Sequence, residues 1–219
     1  MERAGVPEAE RHLDEDGLIA RIAGRLLRRP QAFDGIHSLT PDWLPDVAHD
    51  RPPVPAAVLI ALVRRSAGLS VLYTERSPSL RSHSGQIAFP GGKIDPTDQD
   101  AADAALREAG EEVGLVRDDA RVLGYLPLYY TGTNYLITPV VAAITPRAPF
   151  VPNPSEVRSV FEVPLDYLLS PASFTTFSVR RGEQEHTTWQ ITHAGLVIWG
   201  ITANLTRRFH DIALGPETG

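Results

Sequence analysis

The segment 89–115, FPGGKIDPTDQDAADAALREAGEEVGL, places three carboxylates, Glu108, Glu111 and Glu112, downstream of a Gly91–Gly92 pair. In a helix, residues at i, i+3 and i+4 project from one face. Three like charges that close repel one another unless a cation lies between them. A hard divalent ion suits such a group, and Mg2+ combines carboxylate oxygens with substrate phosphates. Backbone lacking a Cβ approaches a ligand closely, so the glycines add carbonyl and amide groups to the same chemistry. The competing reading is an exposed acidic face paired with Arg107 and neighbouring arginines. The residues point to metal-assisted phosphate transfer, with a solvated helix surface as the alternative.

The helix that would carry these acids has its own signals. Asp98 or Asp100 can cap its start, and Gly114 can end it in a left-handed conformation. Ala102, Ala105, Leu106, Ala109 and Val113 form one apolar stripe, with the three glutamates in the adjoining sector. Ala101 and Ala104 fall in that sector one turn back, where their small size would leave room for a metal and a diphosphate. Gly110 should cost about 1 kcal/mol relative to Ala, with close packing as the plain explanation.

Around this segment the apolar pattern predicts a helix over 14–28, stopped by Pro30, and an extended connection over 30–53. Runs at 56–64 and 69–75, divided by Ser-Ala-Gly, predict a hairpin. Further strands are expected at 121–129, 135–144 and 157–163, then a helical turn over 164–169. A second hairpin, 174–179 with 186–191, turns around Arg181-Gly182, and 196–199 leads into a last helix over 202–214. Strands flanked by a few helices indicate an α+β fold with α/β/α layering.

Length and composition narrow the function. The chain has 219 residues, enough for one well-buried core. With 42% hydrophobic and 22% charged residues it reads as globular, and neither repeats nor low-complexity segments are present. A net charge of −6 gives no general attraction to nucleic acid or anionic lipid, so an anionic ligand needs a local basic patch. The absence of cysteine excludes disulfides, thiolate metal sites and a cysteine nucleophile. The charged N-terminus lacks the apolar core of a signal peptide, and the apolar run 54–63 falls short of the ~20 residues needed to span a bilayer. A cytoplasmic protein is expected.

The sequence REAGEEVGL at 107–115 resembles the second half of the Nudix box, Arg-Glu-aliphatic-x-Glu-Glu-x-Gly-aliphatic. The first half departs from it. Gly92 stands one residue further from Arg107 than the box glycine, and the box glutamate falls at Asp98 or Gln99. The resemblance implies a Nudix-type α/β/α sandwich with a mixed β-sheet between helices. Residues 31–219 would form a single domain with the box at about 92–115, and residues 1–30 an N-terminal helical extension packed on the core.

The stretch 72–92, LYTERSPSLRSHSGQIAFPGG, resembles the signature of Nudix coenzyme A pyrophosphatases, with Tyr73 in place of a second Leu. Segments TPVV at 138–141, VFEVPL at 160–165 and WGITA at 199–203 resemble that family too, so the likeness runs from about 20 to 213. It implies Mg2+ or Mn2+ held by Glu108 and Glu112, with Glu111 and the Gly92 carbonyl as further candidates. The expected reaction cleaves the diphosphate of coenzyme A, or a derivative, to 3′,5′-ADP and 4′-phosphopantetheine. Arg107 would orient the glutamates, and Glu108 and Glu156 are the two candidates for general base. Arg76, Arg81, Lys93 (the chain's one lysine) and the backbone of Gly91 are the candidate phosphate contacts. His83 is a polar contact or a structural histidine. Tyr129, Tyr130 and Tyr135 are pocket residues or hairpin packing. A small-molecule substrate is the implied partner; monomer and homodimer both stay open. Three alternatives stand beside this reading: a Nudix hydrolase of another diphosphate such as ADP-ribose, a catalytically silent nucleotide-binding domain, and a structural interaction protein.

Overall fold

The computed structural model of the chain describes residues 14–35, 51–78, 85–181 and 184–215. The elements run α1 (Glu15–Arg25), β1 (Val54–Arg65), β2 (Gly68–Arg76), β3 (Ile87–Ala88), β4 (Gly91–Lys93), α2 (Ala101–Val113), β5 (Ala120–Tyr125), β6 (Tyr129–Tyr130) and β7 (Tyr135–Ile144). They continue with β8 (Val157–Pro164), α3 (Leu165–Leu169), β9 (Phe174–Arg181), β10 (Gln184–His193), β11 (Leu196–Trp199) and α4 (Gly200–Phe209).

Among the described residues, β1 to β8 form one mixed sheet. Its spine is β3-β2-β1-β7-β5, with β4 on β1, β6 on β7 and β8 on β2. Only β1 and β7 run parallel in this sheet, in register from Val54 opposite Tyr135 to Val63 opposite Ile144. The remaining pairs are antiparallel. β9, β10 and β11 make a second, antiparallel sheet.

The central position of β1 explains its unbroken apolar sequence, since a strand covered on both faces has no polar side to alternate with. Ala57, Leu59, Ala61 and Val63 face α2, which contributes Ala102, Ala105, Leu106, Ala109 and Val113. Ala56, Ile60 and Leu62 face the opposite layer, built from Ile19 and Ile22 of α1, Leu165 and Leu168 of α3, and Leu205 and Phe209 of α4. Helices on both faces of a mixed sheet make the α+β sandwich expected from the sequence.

Several boundaries differ from those expected, each for a tertiary reason. α1 ends at Arg25, well before Pro30, because Leu27 leaves the helix to exchange backbone hydrogen bonds of 2.9 Å with Tyr125. The expected strand 121–129 divides into β5 and β6, with a register irregularity between Val122 and Gly124. Gly124 lies against Leu26 and the Leu27 carbonyl, where a Cβ would stand 2.7 Å from each. The last helix begins at Gly200, and its final turn, His210–Leu214, widens to π geometry. The turn of the second hairpin includes Gly182, outside the described residues. No helix among the described residues is long and apolar enough to cross a membrane.

Candidate active site

α2 presents the acidic cluster. Asp100 caps it, its side chain accepting from the Asp103 N–H at 2.8 Å. Gly114 closes it in the left-handed region at φ 68°, with its N–H bonded to the Gly110 carbonyl and that of Leu115 to the Ala109 carbonyl. Asp98, the other candidate cap, has a different task. Its carboxylate takes two hydrogen bonds from Arg107, from Nε at 2.9 Å and from Nη2 at 3.0 Å. Arg107 then donates through Nη1 to Glu108 at 3.0 Å and to Glu111 at 3.3 Å, and through Nη2 to the Lys93 carbonyl at 3.2 Å. Its hydrogen bonds to Asp98 first, and those to Glu108 and Glu111, raise the guanidinium pKa further above its ordinary value.

The glycine bend meets this helix through β4, which pairs with β1 at Val58–Gly91, Ala57–Gly92 and Ala56–Lys93. Both glycines sit where a side chain would meet a neighbour, backbone at Gly91 and a side-chain end at Gly92. At Gly91 an added Cβ would fall on the Ala57 carbonyl and stand 2.7 Å from Val58 Cα. At Gly92 it would lie no more than 2.7 Å from each atom of the Glu108 carboxylate. Glu108 therefore occupies the space that a side chain at 92 would take.

Glu112 is the buried member of the cluster, only 3% exposed. Its Oε2 accepts from the Gly91 N–H at 3.3 Å, and its Oε1 lies 4.0 Å from Nη1 of Arg76. Burial pushes this carboxyl up to about 7; the Gly91 N–H and the Arg76 charge oppose the shift, while Glu108 and Glu156 add to it. Burial also raises Glu108, against the pull of Arg107. Glu111 is the solvent-facing member, its side chain 52% exposed and in reach of Arg107, and its charge adds to the rise of the Glu108 pKa.

Glu156 enters from a distant part of the chain. The loop after β7 docks on the C-terminal turn of α2, whose carbonyls have no partner within the helix. Val151 N–H bonds to the Val113 carbonyl and Asn153 N–H to the Glu112 carbonyl, both at 2.9 Å. Ser77 N–H holds the Glu156 carbonyl at 2.8 Å, tying the loop to the end of β2. Glu156 is thereby close enough to raise the pKa values of both Glu108 and Glu112.

The structure thus gathers Glu108, Glu112, Glu156, Arg76, Arg107 and the Gly91–Gly92 bend. Lys93 is at the edge of the bend with its side chain exposed. Arg81 and His83 lie outside the described residues. Tyr129 and Tyr130 are core residues, bonded to Asn204 and Asn134, so hairpin packing accounts for them. Ala101 and Ala104 are buried in the core beneath α2 and do not line an open space beside the glutamates, contrary to expectation. Close packing does not explain Gly110, where a Cβ would make only an ordinary 3.5 Å contact with the Leu115 carbonyl. Nothing in the structure explains that residue.

Sequence reasoning missed Asn153. Its side chain accepts from the Ser155 N–H at 3.2 Å and reaches Glu156 Oε1 at 3.4 Å, so an Asx turn sets the acid's position. The Asn-Pro-Ser-Glu order at 153–156 was the available signal.

The donor set fits a hard cation. Every candidate ligand is oxygen, and one carboxylate is buried at a cost that a positive charge would relieve. Among the described residues, no three His, Cys, Asp or Glu side chains are grouped to hold a metal on their own. Backbone, water and substrate oxygens would complete any coordination sphere, as is usual for Mg2+.

Comparison with known proteins identifies the family. The model of the NUDIX domain matches residues 53–195. The uncharacterized Nudix hydrolase NudL of Escherichia coli strain K12 is 42% identical over 152 residues, covering 69% of this chain and 79% of NudL. NudL of Escherichia fergusonii is 41% identical over the same length and shares of the chains. The crystal structure of a Nudix hydrolase from M. smegmatis, RenU, is 26% identical, with 55% of this chain and 76% of that one covered and a TM-score of 0.45. With the family model spanning more than half of its length and a relative 42% identical over 69% of it, the chain belongs to the Nudix hydrolase family.

Proposed function

We propose that the chain hydrolyses the diphosphate of coenzyme A or its derivatives, with Mg2+ or Mn2+, to 3′,5′-ADP and 4′-phosphopantetheine or its acylated form. The observation that carries this reading is Glu112, a buried carboxylate set between the Gly91 amide and Arg76 and beside Glu108. The substrate class is supported by the spaced signature at 72–92, in which Arg76 falls at an expected position.

Glu108 and Glu112, joined by the Gly92 carbonyl and Glu111, would hold the cation. When bound, the ion neutralises the diphosphate and lowers the pKa of the attacking water. Arg107, fixed by Asp98, keeps the Glu108 carboxylate turned toward Gly92. Arg76 offers a guanidinium to a phosphate oxygen; its Nε is buried and has no hydrogen-bond partner among the described residues. Lys93, the Gly91 backbone and Arg81 supply the remaining phosphate contacts. Glu156 accepts the proton of the attacking water, because Glu108 is already engaged by Arg107.

In this reading residues 31–219 form the catalytic domain, with 1–30 as an extension to it. The partner is a small molecule, with neither nucleic acid nor membrane, and the setting is the cytoplasm. A product assay on coenzyme A, dephospho-coenzyme A and ADP-ribose, each with Mg2+ and Mn2+, tests it. Coenzyme A should be cleaved at least roughly tenfold more efficiently than the dephospho form, which leaves a phosphate-binding cation unpaired. Equal rates with and without the 3′-phosphate would assign another diphosphate. Tight nucleotide binding without turnover would make the domain a silent binder.

A further inference from the structure

We propose that Tyr73 is a positioning residue for the glycine bend, acting through Thr206 and Thr202 of α4. Its effect on turnover rests on the function proposed above; its geometry does not.

Tyr73 stands where the signature resembled by this chain has leucine, and the change introduces a hydroxyl into a fully buried site. Its ring is stacked on Phe89 at 4.9 Å and on Phe161 at 5.7 Å. The hydroxyl lies 3.0 Å from Thr206 Oγ1. Thr206 has one hydroxyl proton, and it goes to the Thr202 carbonyl at 2.8 Å. Tyr73 must then be the donor to Thr206. Thr202 in turn donates its own hydroxyl to the Ile87 carbonyl at 2.9 Å.

These contacts close a circuit. It passes from Tyr73 to Thr206, Thr202 and Ile87, and returns through Phe89, two residues on, whose ring rests on Tyr73. Every side-chain hydroxyl in it is buried, so none can exchange its partner for water without cost. The next residue, Pro90, offers its carbonyl to Leu59 N–H at 2.8 Å, and Gly91 then donates to Glu112. The bend is thus held from the α4 face of the sheet and used on the α2 face. A shift of Phe89 is passed through two covalent links to the amide that contacts Glu112.

A core role alone would affect stability without touching the bend, so the test needs a readout at the glycines. Tyr73→Phe keeps the ring and removes the donor; Thr206→Val removes the acceptor; Thr206→Ser retains it. Steady-state kinetics on coenzyme A with saturating Mg2+ should show kcat falling roughly tenfold in Tyr73→Phe and in Thr206→Val, with KM within about twofold. The double variant should be no worse than either single, and Thr206→Ser should be close to the parent. In amide 1H–15N spectra, Gly91 and Gly92 should shift in both single variants while Ala105, in the middle of α2, stays in place. Unmoved glycine amides, or losses that multiply in the double variant, would overturn the proposal. If the parent protein leaves coenzyme A intact, the function falls separately, and the glycine shifts alone decide the positioning role.

Discussion

Asp98 and Arg107 are joined by two near-parallel hydrogen bonds, although the acid is one methylene shorter than the glutamate of the box that the chain resembles. Asp95 N–H also donates to Asp98 at 2.7 Å, folding the loop before α2 back over the arginine. The Asp98 side chain is only 3% exposed, so little solvent competes for these bonds.

Asp98→Asn should therefore loosen Arg107 and lower turnover by roughly tenfold, with Glu108 still present. The hydrogen bonds from Arg107 hold the Asp98 carboxyl below its ordinary value. A depressed folded-state pKa contributes stability above the unfolded value of about 3.9, and that stability is lost as pH falls through the folded value. Urea midpoints measured from pH 6 downward should fall more steeply in the parent than in Asp98→Asn. Parallel curves would remove the pair from the stability account.

Glu112 has the opposite sign. Its carboxyl is raised to about 7 by burial, so the folded state holds a proton that the unfolded chain releases near 4.3. Without divalent ions, stability should drop as pH rises between those values, and Glu112→Gln should remove much of that slope. Saturating Mg2+ or Mn2+ should restore stability at pH 8 in the parent, by about 2.7 kcal/mol at a hundred times Kd, and far less in the variant. Equal thermal shifts in the two proteins would take Glu112 out of the metal site.

Glu108→Gln and Glu112→Gln should each reduce turnover by roughly a hundredfold or more while circular dichroism stays unchanged. A variant with near-parental turnover would exclude that residue from the chemistry.

The two glycines should fail in different ways. Gly92→Ala meets the end of a side chain, so the protein should fold while the displaced Glu108 carboxylate costs most of the activity. Gly91→Ala meets the backbone of β1, which cannot move aside, and should lose on the order of 3 kcal/mol of stability. Thermal melts and turnover of both variants check this. Similar melting temperatures for the two would contradict the packing described for β4.

Glu156→Gln should suppress kcat and abolish the acidic limb of the pH–rate profile, if this acid accepts the proton. Retention of that limb would shift the role to Glu108.

Much of the site was legible because it is local. The spacing of Glu108, Glu111 and Glu112 sets their angles around α2, and the apolar stripe from Ala102 to Val113 sets which side faces the sheet. Gly114 marks the helix end for the same reason: its backbone conformation is a property of one residue. Asp98 and Asp100 show where local reasoning stops, since both carry capping side chains and only the position of Arg107 separates their tasks.

By itself the sequence determined the helix, its acidic sector, the glycine bend and the alternation of strands, all of which follow from periodicity and backbone freedom over a few residues. Tertiary structure alone decided that Glu112 is buried while Glu111 meets solvent, that Ala101 and Ala104 belong to the core, and that Glu156 arrives from 44 positions beyond Glu112. Burial and charge coupling depend on which surfaces meet after the sheet forms. That meeting is fixed by the docking of whole elements, such as the loop before β8 on the end of α2, and no short stretch of sequence contains it.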